Sequence, residues 1–226
     1  MAKRKLIFVG AGDFAREMLW AATDVPESSR DWAPHAYLDD AVDAARERMR
    51  RYQVDLPVLG ATHDHRPASD EVFLCGIAAP RTRLGLCEEM EQRGAEFITL
   101  IHPTAAIGPR SKVGAGSIVW RNAVISIDAT LGRHVIMNYH TSAGHNAKLG
   151  DGVTLTPHCD VNGHVHLGRG VYMGTRAAVL PGLKVGDFAV LGAGTMVIRD
   201  VEPGTTIVGV PGRALEKDPK EDPNSR

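Results

Sequence analysis

The stretch Ile125-Ser-Ile-Asp-Ala-Thr-Leu131-Gly-Arg-His-Val-Ile-Met137-Asn-Tyr-His-Thr-Ser-Ala143-Gly-His-Asn-Ala-Lys-Leu149 repeats itself every six residues. Extended in both directions, its leading aliphatic position runs from Ile101, Ile107 and Val113 to Leu191 and Val197, and sixteen of the seventeen residues are Ile, Val, Leu or Met. The fourth position holds none of these, the fifth is small or β-branched except at Leu183, and the second is Gly nine times. Large position-one and small position-five side chains both face inward only if the chain turns between hexads, with glycine at position two allowing a tight backbone. Three hexads then close one triangular coil, and residues 18 apart stack, an unbroken register predicted from 101 to 202. Five to six coils at a strand spacing of about 4.8 Å give a prism roughly 27 Å long.

Outside the repeat, residues 1–100 follow a different rule. Apolar runs at Leu6 to Val9, Ala36 to Leu38, Glu71 to Cys75 and Phe97 to Leu100 read as strands, and Phe14 to Ala22 and Arg81 to Arg93 as helices. The order is βαβ-like and predicts a small parallel, Rossmann-like sheet. Domains are therefore expected at 1–100 and 101–215, with a polar, proline-containing tail at 216–226 that reads as disordered.

Composition narrows the partners. The 26 Lys and Arg balance 27 Asp and Glu, so no global charge draws the chain to nucleic acid or a membrane surface. The balance averages two unlike halves, a net −4 over residues 1–100 and a net +3 over 101–226. No apolar run approaches a membrane span, and the short run after Lys3-Arg4-Lys5 is too brief for a signal-peptide core, so a cytoplasmic, soluble protein is expected. Cys75, Cys87 and Cys159 lack metal or disulfide spacing and read as buried space-fillers.

Seven of the ten histidines lie in the repeat. His145 is singled out by its context. It follows Ala143, the one small residue of the inward aliphatic column, and Gly163 stacks one coil beyond it with a bare, approachable N–H. A base beside an N–H donor is what acyl transfer needs, one to take the nucleophile's proton and the other to stabilise the tetrahedral oxyanion. Asn146 follows His145 and stacks on Asp128. His140 and His145, with His158 stacked on His140 and with His134, leave a metal reading open, although Thr104 and Pro109 stand two coils below the first pair and no metal site is predicted.

The pieces Phe8-Val-Gly-Ala-Gly-Asp-Phe-Ala-Arg-Glu17, Tyr37-Leu-Asp-Asp40, Leu59-Gly60, Leu100-Ile-His-Pro103, the hexads and Val208-Gly-Val-Pro-Gly-Arg213, in that order, resemble the bacterial hexapeptide-repeat sugar acyltransferases. These include N-acetyltransferases of UDP-4-amino sugars and related sialic acid O-acetyltransferases. The resemblance covers residues 4 to about 215 and implies a left-handed parallel β-helix, a homotrimer, and acetyl-CoA as co-substrate. It implies His145 as general base, with Asn146 where an acidic orienting residue is common and Asp128 as a candidate substitute. Acyl-CoA contacts are implied at Thr154, Gly163, Thr175 and Ala193. The sugar nucleotide is implied beside Gly10, Gly12, Asp13, Phe14, Asp39, Asp40 and Gly60, with Asn138 in the segment leading to His145.

The expected activity is N-acylation of a nucleotide-linked amino sugar by direct attack of the amine on the thioester. O-acylation of a sugar hydroxyl by the same base is the alternative within enzymes. Outside them stands a nucleotide-binding protein using Gly10-Ala-Gly12-x-x-Ala15, with the prism as a trimerisation scaffold.

Overall fold

The computed structural model describes residues 3–215, so the expected tail at 216–226 lies outside the described residues. The N-terminal part contains β1 (Arg4–Val9), α1 (Asp13–Asp24), β2 (Trp32–Leu38), α2 (Val42–Arg51), β3 (Val58–Gly60), β4 (Glu71–Cys75) and α3 (Pro80–Gln92). The strands form one parallel sheet in the order β3-β2-β1-β4. Helix α2 has no counterpart in the sequence reading. Its polar run buries only Ala45 and Met49, a stripe too thin to stand out. The strand expected at Phe97 to Leu100 is also different: Phe97 makes an isolated bridge to Phe73, while Leu100 opens the repeat.

The repeat forms three parallel sheets, the faces of a prism. Face one begins with Leu100–Ile101 and Ile118–Val119, face two with Ala106–Ile107 and Val124–Ile125, and face three with Lys112–Val113 and Thr130–Leu131. Partners such as Ile136 and Thr154, or Ser142 and Asp160, are 18 residues apart, as predicted. The register breaks earlier than expected, however. Val185 meets Val201 and Val190 meets Thr206, so the last coil is two residues short. The chain then folds back, and Arg213–Ala214 pairs antiparallel with Thr206–Val208.

Position-one aliphatics and position-five small residues fill the prism from Val119 to Val197. The turns use two devices, of which the sequence reading named one. Glycine at position two permits close approach: a Cβ on Gly144 would lie 2.6 Å from the Gly163 nitrogen of the next coil. The left-handed backbone sits instead at position four, where Asp128, His134, His140, Asn146, His158 and His164 all have φ between 54° and 61°. That requirement explains why no aliphatic occupies the fourth position, since Asn, Asp and His tolerate this region and branched residues do not.

Position six points outward, yet along the first four coils of face one it is buried. Leu100, Ile118 and Ile136 join Leu6, Phe8, Met18 and Tyr37 in one core, with Trp120 among them. Helix α3 lies along the corner between faces three and one. Leu84 fills the notch left by Gly152, Arg81 stacks on Phe188 at 3.9 Å, and Glu88 and Glu91 bond Arg169 and Arg133.

Candidate active site

Two regions hold the predicted site residues. The first is an open cleft of about 340 Å³ at the carboxyl edge of the sheet, lined by Gly10, Gly12, Asp39, Asp40, Thr62, Gly76, Ile77 and Leu86. β1 ends at Gly10, whose φ of 86° turns the chain, and Gly12 caps α1 without any side-chain bond. The first-turn N–H groups of α1 therefore face the cleft side of the sheet with a partial positive charge.

The acidic pair is spent on building the cleft. Asp39 accepts from the Ala11 N–H at 2.8 Å and the Ala41 N–H at 2.9 Å, which pins the glycine turn. Asp40 accepts from the Thr62 N–H at 2.8 Å and from the Thr62 hydroxyl. The Thr62 hydroxyl bond holds the Asp40 carboxyl below the usual carboxylate range. Gly60 acts through its backbone, accepting from the Asp39 N–H at 3.0 Å.

Other expected cleft residues lie elsewhere. Asp13 turns outward and pairs with Arg16 at 3.3 Å. Phe14 packs against Trp120, ring centres 5.8 Å apart, because α1 is glued to face one. Asn138 accepts from the Tyr139 N–H at 2.7 Å and shapes the corner between faces one and two. Sequence reading missed Thr62, Gly76, Ile77 and Leu86. Gly76 was findable as a second glycine ending a strand of the same sheet, where α/β folds place ligands.

The second region is the corner between faces two and three, which carries His145. A Cβ on Gly163 would fall 2.5 Å from His145 Nε2, so the space expected above Gly163 is filled by the imidazole itself. His145 Nδ1 lies 3.2 Å from Asn146 Oδ1. With the amide oxygen as acceptor, Nδ1 carries the proton and Nε2 keeps its lone pair. The ring of His164 stands edge-on at 5.0 Å. Among the described residues the Gly163 N–H donates to no protein acceptor.

Asp128 does not take the orienting role considered for it. Its carboxylate accepts from Arg110 Nε at 2.6 Å and Nη2 at 2.7 Å, and that bond lowers its pKa. Asn146 is the residue that orients His145. The expected coenzyme contacts also separate. Thr154, on face one, is buried, its hydroxyl accepting from Arg83 at 2.8 Å and donating to the Ala78 carbonyl at 3.2 Å, so it offers nothing to a ligand groove. Thr175 and Ala193 are exposed and stack on the corner between faces one and two, while Gly163 stands on the His145 corner. Among the described residues no group of three or more His, Cys, Asp or Glu is placed to hold a metal ion.

No family model matches the chain. The GDP-perosamine N-acetyltransferase of Escherichia coli O157:H7 is 29% identical over 85 residues, a segment covering 38% of this chain and 38% of that relative. The acetyltransferase domain of PglB from Neisseria gonorrhoeae FA1090, solved with acetyl coenzyme A, superposes with a TM-score of 0.82 at 25% identity, over 94% of this chain and 100% of the other. PerB from Caulobacter crescentus, solved with CoA and GDP-perosamine, gives 0.79 at 25% identity, over 94% and 97%. Over nearly its whole length the chain is thus similar in fold to solved sugar acetyltransferases built on hexapeptide repeats.

The division between cleft and histidine is the notable feature. α3 bonds the corner between faces three and one, and Asp24 reaches His102 at 3.1 Å and Arg121 at 2.5 Å on the corner between faces one and two. Among the described residues no hydrogen bond or ion pair joins residues 3–99 to the His145 corner. The flanking face two is lined by Ala106, Val124, Ser142, Asp160, Ala178 and Met196, and Val124, Ile127, Leu180 and Ile198 lie exposed on or beside it. No helix among the described residues is long and apolar enough to cross a membrane.

Proposed function

We propose that this chain is an acetyl-CoA-dependent N-acetyltransferase of a nucleotide-linked amino sugar, working as a trimer of left-handed prisms with His145 as general base. The observation that carries the reading is the seat of His145: Asn146 fixes the proton on Nδ1, and Nε2 lies over Gly163, whose N–H is unpaired among the described residues. The relatives named for perosamine N-acetylation, and those solved with CoA or acetyl coenzyme A, support the choice of substrates.

Nε2 of His145 accepts a proton from the amine as its nitrogen attacks the thioester carbonyl. The Gly163 N–H faces the oxyanion of the tetrahedral adduct, and collapse breaks the C–S bond, with the imidazolium returning its proton to the departing thiolate. The atoms balance without a covalent enzyme intermediate. The cleft holds the nucleotide, its phosphates drawn to the uncapped start of α1.

Trimerisation resolves the separation of the two regions. Packing the apolar face two of three copies around one axis brings the His145 and Gly163 corner of one copy to the Thr175 and Ala193 corner of the next. The small side chains Ala106, Ser142 and Ala178 suit such close packing. Thiol release from acetyl-CoA, measured with a panel of nucleotide-linked amino and hydroxy sugars, tests the reading. Release with amino sugars that vanishes in His145→Ala supports it, and release with hydroxy sugars alone transfers the assignment to O-acetylation.

A further inference from the structure

Arg83 is the most heavily bonded side chain between the two parts of the chain, and neither base, coenzyme nor cleft lining accounts for it. It is 1% exposed. Nη1 donates to the carbonyls of Ile77 and Ala78, each at 2.8 Å. Nε donates to the His134 carbonyl at 3.0 Å, and Nη2 to the Gly152 carbonyl at 2.7 Å and the Thr154 hydroxyl at 2.8 Å. Two acceptors thus belong to the loop after β4 and three to the prism, and all five N–H groups are used. No carboxylate is among the partners. A planar guanidinium with five fixed donors sets the distance between the two groups of acceptors, which a flexible ammonium with three donors does not.

The loop it holds is a wall of the cleft. Ile77 and Gly76 line it, and the Ile77 side chain approaches within 3.3 Å of where a Cβ on Gly10 would stand. Gly76 in turn packs so closely on Ala15 that a Cβ there would lie 2.6 Å from the Ala15 Cβ. Moving residues 76–78 therefore moves the glycine turn and the start of α1 as well.

Resting on the acyltransfer reading above, we infer that Arg83 is a positioning residue that locks the nucleotide cleft to the prism, so that a sugar held in the cleft is presented at a fixed height along the coils. It touches neither substrate. Its effect passes through Ile77 and Ala78.

The experiment compares the parent with Arg83→Lys and Arg83→Met in the full chain, with Glu88→Gln as a control that loses the neighbouring bond to Arg169. Two readouts are taken: steady-state kinetics with acetyl-CoA and an accepted nucleotide-linked amino sugar, and amide hydrogen exchange over residues 76–78. The expected result for Arg83→Lys is a KM for the nucleotide sugar raised about tenfold, an acetyl-CoA KM within about twofold, and exchange at 76–78 about tenfold faster. Glu88→Gln leaves all three near the parent values. Unchanged exchange at 76–78 in Arg83→Lys overturns the inference, as does a parallel rise of both KM values that simply tracks lost stability. A parent inactive with every nucleotide-linked amino sugar sinks the acyltransfer reading alone, and the exchange comparison then decides the role of Arg83.

Discussion

The imidazole of His145 occupies the place where any residue but glycine at position 163 would carry its Cβ, with Nε2 only 2.5 Å from that point. Gly163 is therefore the floor under the imidazole and, on the proposed reading, the donor that works with it. Gly163→Ala pushes the ring off its seat while leaving the coil's backbone conformation accessible. A misplacement of about 1 Å at a reacting group costs on the order of 10²-fold in rate. We expect kcat to fall by about that factor in Gly163→Ala, with the sedimentation behaviour of the parent unchanged. Normal turnover would separate the glycine from the chemistry.

Asn146 orients His145 but brings no charge. Replacing it by Asp places a carboxylate at Nδ1, which favours the protonated ring. A histidine in the proposed role of base must be neutral to act, so the acidic limb of the kcat/KM profile should move to higher pH in Asn146→Asp. Asn146→Ala should lower kcat at every pH by removing tautomer control. Superimposable profiles for parent and Asp variant would show that Nδ1 does not face this side chain in solution.

Asp128 pairs with Arg110 at the surface, side chains 31% and 68% exposed. Solvent screens such an exposed pair, so its contribution to stability is small. Asp128→Asn should leave turnover within about twofold and the melting temperature nearly unchanged. A large loss of kcat would restore the carboxylate to the active site.

His134 is buried, its Nε2 bonded to Glu91 at 2.9 Å, its ring edge-on to Phe97 and seated over Gly116. Burial is the main cause that lowers its pKa, with the Glu91 bond opposing. A histidine depressed in the folded state stabilises above its unfolded pKa of about 6.5, and that stability drains away as pH falls through this value toward the folded one. The melting temperature should drop between pH 7 and 5, and less steeply in His134→Gln. Equal slopes would assign the acid loss to other groups.

Val124 projects from face two, 45% exposed. A lysine there buries a charge in any assembly that covers this face. Val124→Lys should shift the protein to monomer in sedimentation and abolish activity while the monomer's far-ultraviolet spectrum stays unchanged. A persistent trimer would place the interface elsewhere.

The prism was legible because its rule is local: one aliphatic in six, one small residue in six, and an 18-residue stack such as Ile136 on Thr154. His145 and Gly163 followed from the same arithmetic. Less was legible where parts meet. The aliphatics Leu100, Ile118 and Ile136 recur at position six every 18 residues, a signal for a covered face, yet the period alone does not say what covers it. Phe14 and Thr154 were expected at ligands for that reason, and the structure sets both in the seam between the two parts. Arg83 has no motif at all. A buried arginine answered only by carbonyls and one hydroxyl is invisible until the third dimension supplies its acceptors. Asp128 and Asn146 stack as predicted, but stacking fixes backbones, and the side chain was free to choose Arg110.

The reversal of the chain after the shortened last coil bears on solubility. A stack of parallel coils ends in unpaired strand edges, and such an edge is a template on which another copy can continue the stack into a fibre. Here the final strand of face one is answered by Arg213–Ala214 running the opposite way, a two-residue strand that begins with a charged side chain. Its polarity is wrong for another coil to add in register and its length too short to recruit one. Chains truncated before Arg213 should accordingly elongate end to end, and light scattering on such a truncation would register this short strand as a terminator of growth.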